Sequence, residues 1–126
     1  VSIQRGIFRE YDIRGIAGTD LTHETARLIG LGYAAYLREQ GEPGTIVVGR
    51  DNRPSGTGLR DGLVAGLREA GLDVVDIGVV PTPVTYWAQH NLDVVGGIQI
   101  TGSHNPAEYN GFKLGLRTKS IYGQQI

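Results

Sequence analysis

A layered α/β domain, with helices on both faces of a mostly parallel sheet, is what this 126-residue sequence predicts. Three observations lead there. Short β-branched and apolar runs alternate with longer segments whose apolar residues recur every three or four positions, the order expected when helices cross over between parallel strands. Gly, Pro, Asn and Asp gather between these runs, where the chain must turn. The last two strand-like runs are joined by a loop too short for a crossover, so the final strand turns back antiparallel to its neighbour. The expected architecture is a three-layer αβα domain with a mostly parallel mixed sheet and an antiparallel last strand.

The elements follow in order. Residues 7–13, with Phe8 and Tyr11, read as a first strand that Arg14-Gly15 ends. Thr22 is placed to cap a helix and Glu24 lies in its positive first turn. Ala26, Ile29, Tyr33 and Leu37 then form one helical face, and Gly41 stops the run. Residues 45–48 are a short β-branched strand. The polar turn Gly49-Arg50-Asp51-Asn52-Arg53-Pro54-Ser55-Gly56 leads into a second helix with Leu59, Leu63, Leu67 and Ala70 on one face, ending at Gly71. Residues 74–80 are apolar enough for a strand buried on both faces. Thr82 and Pro83 read as N-cap and first residue of a third helix through His90. Residues 94–101 and 109–116 are the last two strands. Alternation puts Phe112, Leu114 and Leu116 on one face of the last strand and Lys113 and Arg117 on the other.

Composition narrows the function. The length fits one domain by the usual prior of about 100–200 residues. Net charge is −1 with both signs scattered, which gives neither the basic stripe of a nucleic-acid binder nor a membrane-binding face. No cysteine is present, so disulfides and thiolate metal sites are excluded. No apolar run approaches the length of a membrane span, and residues 1–9 lack a signal-peptide core, so a cytoplasmic location is expected. The sequence contains no Met and stops at Gln124-Gln125-Ile126 without a terminating pattern, which reads as a piece of a longer chain.

The chemistry concentrates at Thr101-Gly102-Ser103-His104-Asn105-Pro106, followed by Tyr109-Asn110-Gly111-Phe112-Lys113. Gly102 permits a sharp turn, and Pro106 keeps Asn105 out of the helical region. The segment leaves a strand end and presents Ser103 as a candidate nucleophile with basic groups nearby. A plain polar turn between two strands is the competing reading, since Ser, Asn, Gly and Pro are the ordinary turn residues. Ligands of open α/β sheets sit beyond the carboxyl ends of the strands. Arg14, the turn from Arg50 to Ser55, and Ser103 all follow strand ends, so the architecture lines them along one rim. That turn reads as a salt-bridged turn in which Asp51 caps the next helix, with anion binding as the alternative.

Several familiar sites are missing. There is no G-x-x-x-x-G-K-[ST] loop and no G-x-G-x-x-G after a strand. Ser103 is not in a G-x-S-x-G elbow. His23 and His90 occupy helical positions with no distinguishing context. His104 is adjacent to Ser103, hence a poor base for it, though able to serve the same pocket. The three histidines have no metal-ligand spacing.

Three blocks, Phe8-Arg9-Glu10-Tyr11-Asp12-Ile13-Arg14-Gly15, Gly49-Arg50-Asp51-Asn52-Arg53-Pro54-Ser55, and Thr101-Gly102-Ser103-His104-Asn105-Pro106 with Asn110-Gly111-Phe112-Lys113, stand in the order and at the separations of the first domain of the α-D-phosphohexomutases. The first block most resembles the phosphomannomutase/phosphoglucomutase branch. The resemblance covers nearly the whole chain and implies a mechanism. Ser103 carries a phosphoryl group, passes it to a hydroxyl of a hexose 1- or 6-phosphate, and takes back the other phosphate of the resulting hexose 1,6-bisphosphate. Mg²⁺ binds one oxygen of the phosphoserine, so Ser103 is the metal-linked residue of this chain. Lys113 and Arg14 are implied to act catalytically and to bind substrate phosphate charge. His104 joins the catalytic set, and Tyr11 lines the substrate pocket. Members of that family have four domains, with the acidic metal loop in the second, sugar recognition in the third and a phosphate-binding loop in the fourth. No D-x-D-x-D-R block occurs here. Residues 1–126 are therefore expected to be the phosphoserine domain of a mutase, inactive without the remaining domains. A non-catalytic binding or regulatory domain is the alternative, against which the intact Ser103, Lys113 and Arg14 stand. An unrelated hydrolase using Ser103 lacks the elbow.

Overall fold

The computed structural model describes residues 13–18, 21–39, 41, 44–102, 109–116 and 119–120, with only the backbone of Arg14, Ile16, Leu116, Lys119 and Ser120. Tyr11, Ser103, His104 and Arg117 lie outside the described residues, as does most of the first expected strand.

Among the described residues nine elements follow one another: β1 (Ile13–Ile16), α1 (His23–Glu39), β2 (Thr45–Arg50), α2 (Gly56–Glu69), β3 (Asp73–Val79), α3 (Thr82–Asn91), β4 (Gly96–Ile100), β5 (Tyr109–Leu116) and β6 (Lys119–Ser120). The strands form one sheet in the order β1-β5-β4-β2-β3, with β6 beside β5. β2 pairs in parallel with β3 and β4, whereas β5 pairs antiparallel with β4, β1 and β6. Every strand except β5 therefore points the same way, which is the expected mixed sheet with its antiparallel strand. Arg14 and Gly15 do not end β1 but lie within it, because the β1–β5 ladder runs from Ile13 opposite Phe112 to Ile16 opposite Tyr109.

The helices close both faces. Ile46, Val48, Ile98, Ile100, Phe112 and Leu114 are buried in one core with α1 and α2, while Val47 packs with Ala88 and Val94 on the α3 side. Alternation along β2 thus feeds two cores, and a fully buried Leu or Ile at these positions contributes roughly 1.5–3 kcal/mol. Helix α1 begins as expected, with the Thr25 amide donating to Thr22 Oγ1 at 3.1 Å. Gly41 and Gly71 carry positive φ of 70° and 90° just beyond the first two helices. Helix α3 starts one residue early: Pro81 is its N-cap, and Thr82 is already helical.

One expectation is corrected. β3 is not buried on both faces: Val75 and Val79 are 40% and 57% exposed. Among the described residues β3 is the sheet's edge, and α3 packs over β2 and β4, leaving those valines uncovered.

The contact between α1 and α2 depends on glycine. A Cβ at Gly66 would stand 2.1 Å from the carbonyl oxygen of Arg27, and one at Gly62 would stand 2.2 Å from that of His23. These approaches are to rigid helix backbone, so the helices must separate to admit a methyl group. Helix propensity alone would make Gly66→Ala stabilising by about 1 kcal/mol. Overpacking reverses the sign: Gly66→Ala is expected to destabilise by about 1–3 kcal/mol in a urea titration. A gain in stability would mean that the helices have slack at this crossing.

Candidate active site

The parallel register aligns the carboxyl ends of β2 and β4, with Arg50 opposite Ile100. The antiparallel β5 begins at the same rim, since Thr101 donates its amide to Gly111 O at 2.9 Å. β1 also ends there: Arg14 lies opposite Gly111 in register, two residues from Lys113 along β5. The rim thus gathers the Arg14 backbone, the turn after β2, and both stems of the segment that carries Ser103. The turn after β2 and the outgoing stem of the Ser103 segment follow strand ends as expected from sequence, whereas Arg14 lies within β1.

The turn after β2 has a different job from the expected one. The pair between Arg53 and Asp51 is present at 3.2 Å. Asp51 does not cap α2, however; the N-cap is Ser55, without a side-chain cap hydrogen bond. The Asp51 carboxylate is turned toward β4. Its Oδ2 accepts from Thr101 Oγ1 at 2.9 Å and from the Gly102 amide at 3.0 Å, and its Oδ1 accepts from the Arg53 amide at 3.1 Å. Arg53 Nη1 donates to the carbonyl of Tyr109 at 3.2 Å, on the other stem. Asn110, fully buried, donates to Ser55 Oγ at 2.8 Å and accepts from the Gly111 amide at 3.0 Å. A Cβ at Gly102 would stand 2.2 Å from the Arg53 guanidinium, so a larger residue there would displace that side chain.

The two arginines of the turn diverge. Arg50 reaches Asp76 of β3 at 3.5 Å, away from the serine segment, and Arg60 pairs with the same carboxylate. Burial works against the charged form of Asp76, yet the Arg60 hydrogen bond and its neighbours hold its pKa below the usual value. The charge of Arg50 is thus offset on the β3 side.

Lys113 lies half-buried in β5, opposite Gln99 of β4 and off the face that buries Phe112 and Leu114. Gln99 is held beneath α3, accepting from Thr85 Oγ1 and donating to the Val80 carbonyl at 2.9 Å. His90 is exposed near the end of α3, with Nδ1 at 2.8 Å from the Tyr86 carbonyl, and His23 is exposed at the start of α1. His23 nevertheless lines a hollow with Thr22, Leu59 and Ser55 of the turn after β2, a placement its unremarkable sequence context did not signal.

Among the described residues, no three His, Asp or Glu side chains are grouped to hold a metal ion. Asp51, whose carboxylate reaches the outgoing serine stem, already accepts from Thr101, Gly102 and Arg53. The described residues therefore do not fit a Mg²⁺ site of their own.

The model of the phosphoglucomutase/phosphomannomutase α/β/α domain I matches residues 5–122. The chain belongs to that family. A phosphomannomutase/phosphoglucomutase from Pseudomonas aeruginosa is 45% identical over 125 residues, 99% of this chain and 27% of that protein. A phosphoglucomutase from Neisseria meningitidis serogroup B is 46% identical, again over 99% of this chain and 27% of its own length. A crystal structure of a family protein from Burkholderia thailandensis superposes with a TM-score of 0.92 at 48% identity, covering 98% of this chain and 29% of the other. The chain thus spans about a quarter of the length of the relatives it matches. The domain I match extends across the serine segment and both of its stems, including the family blocks around Ser103 and Lys113.

Proposed function

We propose that this chain is the phosphoserine domain of a phosphohexomutase that interconverts hexose 1-phosphate and hexose 6-phosphate, with mannose or glucose as the sugar. The observation that carries the proposal is the rim itself. The two stems that flank Ser103 in sequence are anchored at the carboxyl edge of the sheet, on the strand that carries Lys113 and pairs with the Arg14 backbone, which supports this reading. In the first half-reaction the Ser103 Oγ–P bond breaks as a bond forms from phosphorus to a sugar hydroxyl oxygen, and the proton of that hydroxyl ends on the freed Ser103 Oγ. In the second, the other phosphate of the bisphosphate returns to Ser103. Lys113 and Arg14 supply positive charge where the transferring phosphoryl spreads negative charge over its oxygens. Tyr11 and His104 line the pocket. Mg²⁺ belongs to the proposal as the ion that neutralises phosphoryl charge, with the Ser103 phosphate as its single ligand from this chain. Hexose 1,6-bisphosphate serves as intermediate and activator.

The remaining domains are proposed partners. Trp87 is 61% exposed on α3, with Val84 and Tyr86 beside it and Val79 uncovered on β3. Large apolar side chains gathered on neighbouring elements mark a surface that is covered in use. No helix among the described residues is long and apolar enough to cross a membrane. A cytoplasmic location is proposed on the substrate's account, since phosphosugars are made and used there.

The test is a coupled assay of the complete protein with Mg²⁺, bisphosphate and either hexose 1-phosphate. Turnover by the complete protein, and none by residues 1–126 alone despite cooperative unfolding of that piece, is the expected result. Comparable turnover by the piece alone would mean that one domain suffices. No turnover by the complete protein, with its phosphosugar binding intact, would favour a non-catalytic binding domain.

A further inference from the structure

The reaction proposed above uses Ser103, Lys113 and Arg14 and gives no task to the turn after β2, although that turn holds both stems of the serine segment. Asp51 takes the amide and hydroxyl of the outgoing stem, Gly102 and Thr101, on one carboxylate oxygen. Arg53 is paired with Asp51 and donates to the carbonyl of Tyr109 on the returning stem. Ser55 accepts from Asn110 one residue further on. The side chains of Arg53 and Asp51 are only 13% and 21% exposed, so their pair is well screened from water, and charge-assisted hydrogen bonds of this kind are the stronger ones. The contacts span more than fifty residues of sequence and link two loops that β2 and β4 alone would leave independent.

We propose that Asp51 and Arg53 are positioning residues that clamp the serine segment by its two ends and so set where Ser103 stands during phosphoryl transfer. The inference rests on the phosphohexomutase reading for its chemistry and on the described hydrogen bonds for its mechanics. Neither residue touches the substrate in this account. A carboxylate alone would hold the outgoing stem; the paired arginine extends the hold to the other stem and leaves the carboxylate without a net free charge near an incoming phosphate. Transfer between a serine oxygen and a sugar oxygen is sensitive to placement, and an error of about 1 Å costs on the order of 100-fold in rate.

The experiment uses the complete protein in four forms: unaltered, Asp51→Ala, Asp51→Asn and Arg53→Ala. Two readouts are taken. The first is the rate at which phosphate labelled on Ser103 passes to hexose 1-phosphate, with KM measured alongside. The second is amide hydrogen exchange of the peptide spanning residues 101–110, against that of α1 and α2. For Asp51→Ala and Arg53→Ala we expect transfer slowed by about 10- to 100-fold, KM changed by less than about threefold, and faster exchange confined to residues 101–110. Asp51→Asn keeps an oxygen to accept from Gly102 and Thr101 and should recover most of the transfer rate. Unchanged exchange at 101–110 in both alanine variants overturns the clamp, as does faster exchange spread evenly over the domain with no change in the transfer rate of the folded fraction. If the unaltered protein carries no phosphate on Ser103, the phosphohexomutase reading fails, while the exchange arm still decides whether the turn clamps the segment. Should Asp51→Ala fail to fold, Arg53→Ala and Asp51→Asn carry the same comparison.

Discussion

Ser103→Ala in the complete protein is expected to lower mutase turnover by roughly four to six orders of magnitude, the scale on which loss of a covalent nucleophile acts when it works as part of a set. The expectation follows from the route of the phosphate. In the proposed reaction both half-reactions pass through the Ser103 oxygen, once as leaving group and once as nucleophile, so its loss would block each of them rather than slow one. Stability should barely change. Thr101 and Gly102, the described residues before Ser103, have their amides held by Gly111 and Asp51, and the described core residues nearest in sequence are Ile100 and Phe112. A substitution outside such features usually shifts stability by no more than about 0.5 kcal/mol. Phosphopeptide mapping of the active protein should place its phosphate on Ser103, and the alanine variant should carry none. Full turnover by Ser103→Ala, with no phosphate elsewhere, would end the phosphoserine mechanism.

Much of the fold was legible because it is written in local periodicity. The α1 face of Ala26, Ile29, Tyr33 and Leu37 and the α2 face of Leu59, Leu63 and Leu67 are all buried, and the Thr22 cap is made. The apolar content of β3 was equally visible, but not its place at an edge. Strand order is decided by which crossovers pack, and a run such as residues 74–80 looks the same in the middle of a sheet and at its margin. Glycine was read as turn material, while Gly62 and Gly66 instead let two helix backbones touch. Their spacing of four residues within an otherwise good helical pattern was the available signal.

The candidate site divides in the same way. Ser103, Lys113 and Arg14 were singled out by their blocks, and the sheet register sets Lys113 and the Arg14 backbone two positions apart along β5. The clamp was not identified. Asp51, Ser55 and Asn110 are ordinary turn or cap residues by local rules, and their partners lie 50 to 55 residues away in sequence. Two opposite charges one residue apart, in a turn at a strand's carboxyl end, hinted at a built feature. Which loop they hold follows only from the adjacency of β2 and β4.

Lys113→Ala carries the second large expected effect, and it separates catalysis from folding. Lys113 projects from the middle of β5, which is laddered on both sides to β4 and β1, so its backbone remains fixed whatever its side chain. Its neighbours in sequence, Phe112 and Leu114, fill the core on the opposite face and are untouched by the change. Across the ladder, Gln99 keeps Thr85 and the Val80 carbonyl as partners. The fold therefore loses little. The proposed reaction would lose a positive charge beside the transferring phosphoryl group, which spreads negative charge over its outer oxygens in the transition state. Removal of one such donor costs about 2–4 kcal/mol of barrier, or roughly 30- to 1,000-fold in kcat. Because the charge matters more in the transition state than in the bound sugar phosphate, KM should move much less than kcat. Steady-state kinetics and a thermal melt on the same preparation decide the matter. A melting temperature near that of the unaltered protein with a collapsed kcat places Lys113 in the chemistry. A near-normal kcat with a lowered melting temperature makes it a strand lysine whose stem packs under α3, and would leave Arg14 and the Ser103 segment to carry the transfer without it.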